Sequence, residues 1–135
     1  MSIKPSLLAL ATALAVPAIP AHADMMFNRV ATFAVADNLP KDADPRTTTS
    51  SEIISASDDG TTLVYSDSPY GGIGFIDITD PKAPKAGGSI KMDGEPTSVV
   101  IAGGKVLVAV NTSESKANPS GQLRVVDIAS KAIEA

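Results

Sequence analysis

The chain has 135 residues, with 11 Lys and Arg against 15 Asp and Glu, one His, no Cys and no Trp. That length fits one domain at most, at the usual ~100–200 residues per domain. Without Cys there is no disulfide and no thiolate metal site, and the acidic balance argues against nucleic acid, whose phosphates demand Lys and Arg.

Met1–Lys4 is a short positive start, Leu7–Val16 is an apolar run, and Pro17 and Pro20 break it. Ala21-His22-Ala23 supplies the small-x-small pattern of a signal peptidase site, so residues 1–23 read as a signal peptide cleaved before Asp24. The apolar run is too short to cross a bilayer as a helix, and no membrane anchor is expected after cleavage. The mature chain then has 112 residues, 10 basic and 15 acidic side chains, and a formal charge of −5. His22, the only histidine, leaves with the signal, which excludes Ser-His-Asp and Cys-His catalysis and imidazole metal sites. Carboxylate, hydroxyl and backbone chemistry remain.

Residues 24–51 read as a lead-in. Asn28–Val35, with Val30 and Phe33 apolar, has the character of an outer strand, and Ala36–Ser51, with Pro40, Pro45 and three consecutive Thr, of a long polar loop. Strands are then expected near Ile53–Ser57, Thr62–Ser66, Ile73–Ile78 and Ser89–Met92. Asp58-Asp59-Gly60 makes the first turn, Pro69-Tyr70-Gly71-Gly72 forms a loop, and Asp80-Pro81 stops the third strand. Thr97–Ile101, Lys105–Val110 and Leu123–Ile128 repeat the series, with Gly103-Gly104 as a turn and a fourth strand starting around Ile133. No stretch has helical periodicity.

The series is an internal repeat. At an offset of 43, Glu52 and Ser55 fall on Glu95 and Ser98, Gly60 on Gly103, and Leu63-Val64-Tyr65 on Val106-Leu107-Val108. At an offset of 50, Pro69 falls on Pro119, Gly71 on Gly121, and Phe75-Ile76-Asp77-Ile78 on Val125-Val126-Asp127-Ile128. The seven-residue difference is a polar insertion within Asn111–Asn118, where a loop tolerates it. A four-stranded antiparallel unit repeating every 43–50 residues is the signature of a β-propeller blade. Residues 52–94 form blade one and residues 95–135 an incomplete blade two of an all-β fold. Closing a ring takes about four to eight blades, so the chain is expected to be the N-terminal part of a larger propeller; by size alone, a small β-sandwich of six or seven strands is the alternative.

Several segments resemble one bacterial family: Ser51-Glu52-Ile53-Ile54, Asp59-Gly60 with Leu63-Val64-Tyr65-Ser66-Asp67-Ser68-Pro69, and Ile73-Gly74-Phe75-Ile76-Asp77-Ile78-Thr79-Asp80-Pro81. Gly94-Glu95-Pro96-Thr97-Ser98-Val99 and Val108-Ala109-Val110-Asn111-Thr112-Ser113 do so too. This is the exported family with phytase-like esterase activity, which carries repeats of the YVTN/LVIVD propeller type and includes proteins called alkaline phosphatases. The resemblance spans roughly Phe27–Ile133. It implies a periplasmic or secreted bacterial propeller and, in full-length relatives, a calcium-assisted phosphoester or ester hydrolase. No catalytic motif of the family maps onto a residue of this chain.

Glu52 and Glu95 hold the same repeat position, just before the innermost strand of each blade, where a closed ring would bring both carboxylates to one mouth of its channel. Oxygen-only clusters of this kind suit Ca²⁺ or Mg²⁺, and a bound divalent cation can clamp a phosphate or activate water without histidine; solvated acids or turn-capping carboxylates are the structural alternative. Asp58-Asp59-Gly60 lacks the ligand alternation of a calcium loop and reads as a hairpin turn. Asp77 and Asp127 read as turn-capping, Gly71-Gly72-x-Gly74 as a loop entering a strand, and Tyr65 and Tyr70 as packing residues. Asn111-Thr112-Ser113 matches a glycosylation pattern that a bacterial protein leaves unused, and Thr112–Gly121 is the most exposed loop, suited to a partner. Two functions follow. One is a non-catalytic binding or assembly module whose partners are the remaining blades or further copies joined through open strand edges. The other is part of a calcium-assisted phosphoesterase.

Overall fold

The computed structural model describes residues 28–135, so the signal segment lies outside the described residues. Alternating apolar residues between turn signals produce seven strands: β1 (Ile54–Ala56), β2 (Thr62–Asp67), β3 (Gly72–Asp77), β4 (Lys85–Lys91), β5 (Glu95–Ala102), β6 (Lys105–Asn111) and β7 (Gly121–Asp127). They form two antiparallel sheets in simple chain order, β1-β2-β3-β4 and β5-β6-β7. The fold is all-β and neither sheet closes on itself. Gly103 and Gly104, both at positive φ, make the two-residue turn joining Ala102 to its partner Lys105, the backbone twist such a hairpin requires.

The core lies between the sheets. Val64, Ile73 and Phe75 from the first meet Val99, Val106, Val108 and Val126 from the second, with Met92 between β4 and β5. Each of these fully buried side chains contributes roughly 1.5–3 kcal/mol of burial free energy. The chain after β7 turns back on it. Glu134 and Ala135 exchange backbone hydrogen bonds with Val125, and Asp127 N–H donates to the Ala132 carbonyl at 3.0 Å. This short contact, with a bridge at Ile133, stands where a fourth strand was expected.

The pairing registers of the two sheets correspond. Val64 pairs with Phe75 as Leu107 pairs with Val125, and Leu63 pairs with Ile76 as Val106 pairs with Val126. The first strands follow a different offset: Ile54 opposite Tyr65 corresponds to Val99 opposite Val108, two residues beyond the sequence alignment, with a bulge in β5 between Pro96 and Ser98.

Two elements depart from the sequence reading. β4 begins at Lys85 rather than Ser89, because Gly87 and Gly88 run within the strand instead of breaking it; at Gly87 a side chain would meet Phe75. Asn28–Val35 is not a strand. Extended backbone becomes a strand only when a neighbour accepts its hydrogen bonds, and no backbone ladder joins Asn28–Phe33 to another described residue. The segment instead lies as irregular chain on the outer side of the first sheet, where Val30 and Phe33 line a groove with Leu63, Ile76, Ile78 and Pro84. A 3-10 turn at Val35–Asn38 follows.

That turn delivers Asn38, 4% exposed, onto the outer face of the first sheet. Its amide nitrogen donates to the Tyr65 hydroxyl at 2.9 Å and the Phe75 carbonyl at 2.8 Å. Its amide oxygen accepts from Gly88 N–H at 3.0 Å, and its carbonyl accepts from the Ser89 hydroxyl at 3.0 Å. Tyr65 lies flat on Gly74, where any side chain would occupy the phenol ring's own space.

Candidate functional site

β5 packs against both β1 and β2. Ser55 Oγ in β1 accepts from Ile101 N–H near the end of β5 at 3.0 Å. Glu52 stands just before β1 and Glu95 at the start of β5, and both are exposed. Each carboxylate takes a hydrogen bond from the residue 16 positions on: Ser68 Oγ donates to Glu52 Oε2 at 2.5 Å, and Asn111 Nδ2 reaches Glu95 Oε2 at 3.5 Å. Ser68 and Asn111 are themselves equivalent at the offset of 43. The Ser68 hydroxyl also lies 2.9 Å from the Pro96 carbonyl, so it bridges the two strand starts with a single proton to share. The sequence reading missed this hydroxyl, because its partners lie in two different repeat units.

Ca²⁺ takes six to eight oxygen ligands. The Glu52 carboxylate, the Ser68 hydroxyl and the Pro96 carbonyl meet here, while the Glu95 carboxylate is held by Asn111 on its own sheet. Among the described residues, no three Asp, Glu, His or Cys side chains come together in a metal-holding group.

The other singled-out acids cap turns. Asp59 accepts from the Ser57 hydroxyl at 2.6 Å and from Thr61 N–H and Oγ1, and these bonds hold its carboxyl below the usual range. Asp77 is lowered by the Thr79 N–H. Asp127 is held far below the usual range, first by Ser130 N–H at 2.8 Å and then by Lys105 at 2.9 Å. Lys105 also reaches Glu134 at 2.6 Å, tying the C-terminal segment to β6, and its ammonium is raised by both acids, Glu134 first. Asp58, Asp59 and Asp127 border an open hollow of about 470 Å³ between the sheet ends; Asp127 spends both carboxylate oxygens on the chain itself, and Asp59 spends Oδ1.

Tyr65 and Tyr70 are buried packing residues, and burial pushes the Tyr65 phenol up. Lys91 stands over the Tyr70 ring at 3.9 Å and donates to the Tyr70 carbonyl. Asp67 carries no sequence signal beyond its place before Ser68-Pro69. It is buried and accepts from the N–H groups of Ser50 and Tyr70 at 3.0 Å, fixing the end of the lead-in and the loop into β3. In the loop after β6, the Thr112 and Ser113 hydroxyls bond Ser120, closing its base, while Glu114–Ser120 stay exposed.

The second sheet exposes apolar side chains on one face. Leu123 is 62% exposed and Val100 48%, on the face that turns away from the core, with Leu107, Ala109 and Val125 half-buried beside them. Comparison with protein-family models, with curated proteins and with solved structures finds no match. Function therefore rests on this geometry.

Proposed function

We propose that the chain is an assembly and binding module of an exported bacterial β-propeller, its two sheets being successive blades that recruit further blades rather than carry out chemistry alone. One observation carries the reading. Val64, Ile73 and Phe75 are buried against the second sheet, and their equivalents at offsets of 43 and 50 are Leu107, Leu123 and Val125, which line the face of the second sheet that no other sheet covers among the described residues. Repeat units bury such faces only by stacking, and their stability grows with each neighbour added. The test is a tandem protein carrying a second copy of residues 95–135 after Ala135. A higher melting temperature and a larger urea m-value are expected, since more surface is buried per cooperative unit. If neither changes, the stacking reading falls.

A second reading, part of a calcium-assisted phosphoesterase or esterase of the phytase-like kind, is favoured by the matched hydrogen bonding of Glu52 and Glu95 at one sheet junction. It predicts a calcium-dependent rise in melting temperature that Glu52→Gln with Glu95→Gln removes. A melt indifferent to calcium, or a rise that survives both substitutions, removes the metal from the account.

A further inference from the structure

The two outer faces of the molecule can be compared position by position with the interface inside it. Val99, 5% exposed, is buried against the first sheet, and its register equivalent on the first sheet is Ile54. Ile54 is 52% exposed, on the face away from the core. Leu63 and Ile76 on that same face correspond to the fully covered Val106 and Val126. They line a groove of about 340 Å³ beside the lead-in, which covers Ile76 and Tyr65 to 6% and 1% exposure and leaves Ile54 and the 61%-exposed Val30 as the open apolar surface. The outer face of the first sheet is thus the counterpart of the second sheet's inner face. Likewise the outer face of the second sheet, with Val100 and Leu123, is the counterpart of the first sheet's inner face.

We propose that these faces join in a second copy of the chain, head to tail: the Val100–Leu123 face of one copy docks on the Ile54–Val30 side of the next. The contact repeats between molecules the stacking that already holds sheet to sheet within one. It rests on the blade reading above and goes beyond it by naming the occupant. Such a contact is heterologous, using two different patches, and it propagates into a ring or an open filament. The partner supplies shape and apolar surface at Val100 and Leu123, while the charges nearby stand at the margins: Arg29 beside the groove, and Lys105 paired with Asp127 at the end of the second sheet's outer face.

The experiment blocks each patch separately. Leu123→Lys disables one face and Ile54→Lys the other; both residues are exposed, and far-UV circular dichroism checks that each variant keeps its sheets. Light scattering after size exclusion is expected to give an oligomer for the unmodified protein and a monomer for each variant alone. An equimolar mixture of the two variants, which retains one intact interface, is expected to give a dimer. Three outcomes overturn the proposal: a monomeric unmodified protein, an Ile54→Lys variant that keeps the full oligomer mass, or a mixture that stays monomeric. The tandem-repeat measurement is independent of all three, so failure here leaves the stacking reading standing on its own result.

Discussion

Asn38→Ala tests whether the lead-in is part of the fold. Asn38 is buried and provides two amide donors and one acceptor to groups that belong to the sheet: the Tyr65 hydroxyl, the Phe75 carbonyl and the Gly88 N–H. Alanine leaves all three without this partner. Tyr65 keeps a long 3.5 Å bond to the Val35 carbonyl, so the unrelieved losses are the two backbone groups. At about 1–3 kcal/mol for each buried polar group left unpaired, the expected cost for the two is about 2–6 kcal/mol. A domain near 100 residues shifts its melting temperature by roughly 4–8 °C per kcal/mol, which places the expected drop at about 10 °C or more. The assay is a urea and a thermal melt followed by circular dichroism, with Asp37→Ala beside it. Asp37 is exposed, and such substitutions usually stay within about 0.5 kcal/mol. An Asn38→Ala melt that overlays the Asp37→Ala melt would refute the reasoning and show that residues 28–38 do not anchor to the first sheet in solution.

Gly74→Ala drives a methyl into the Tyr65 ring, and displacing that ring also breaks its bond to Asn38, so a loss of about 1–3 kcal/mol is expected in the same melts. Asp127 is lowered in the folded state, so its bonds stabilise the fold above the ordinary carboxylate value of 3.8 and that stabilisation fades as pH falls below it. Asp127→Asn should therefore flatten the acid limb of the stability–pH profile measured by urea titration, and an acid limb identical to the unmodified protein's would contradict this. Val125 and Val126 are adjacent and point to opposite faces. Val126→Ala should cost about 2 kcal/mol whatever the protein concentration, whereas Val125→Ala should cost less in dilute solution and more as the chain associates, read from melts at several concentrations.

Most strands were legible because their signals are local. Branched apolar residues at Leu63–Tyr65 and Val106–Val110, bounded by Gly60 and by Gly103-Gly104, specify extended chain and tight turns without reference to anything distant. β4 was read short because Pro84 and the Gly87-Gly88 pair resemble loop chemistry, and only the packing of Phe75 against Gly87 shows why a residue without a side chain belongs in that strand. The lead-in was misread for the opposite reason: Val30 and Phe33 have a strand's spacing, but strand formation needs an edge to pair with, which no single segment encodes. At the candidate site, Glu52 and Glu95 were visible through their repeat position. Ser68 was not, because its two acceptors are 16 and 28 residues away on separate strand starts. Asn38 was invisible too, its Gly88 partner lying 50 residues on.

The places where the two sheets differ follow from what each face touches. Position by position, the inner face of the second sheet carries Val106, Val108 and Val126, while the corresponding outer face of the first carries Leu63, Tyr65 and Ile76. Valine suits a face pressed onto another sheet, where a branched, stiff side chain fills the gap with little entropy to lose. Tyr65 suits a face that must receive an asparagine, since its hydroxyl gives the buried amide a polar partner. A ring that large fits only because its neighbour across the ladder is Gly74, where the second sheet has Arg124 opposite Val108. The tyrosine, the glycine and the asparagine thus form one adaptation, which turns the Tyr65 part of that face into a seat for the lead-in and leaves Ile54 uncovered. No such change has occurred on the outer face of the second sheet: Leu107, Leu123 and Val125 keep the branched apolar character that Val64, Ile73 and Phe75 use for stacking. A face left in its stacking form is the physical reason for assigning this chain to assembly.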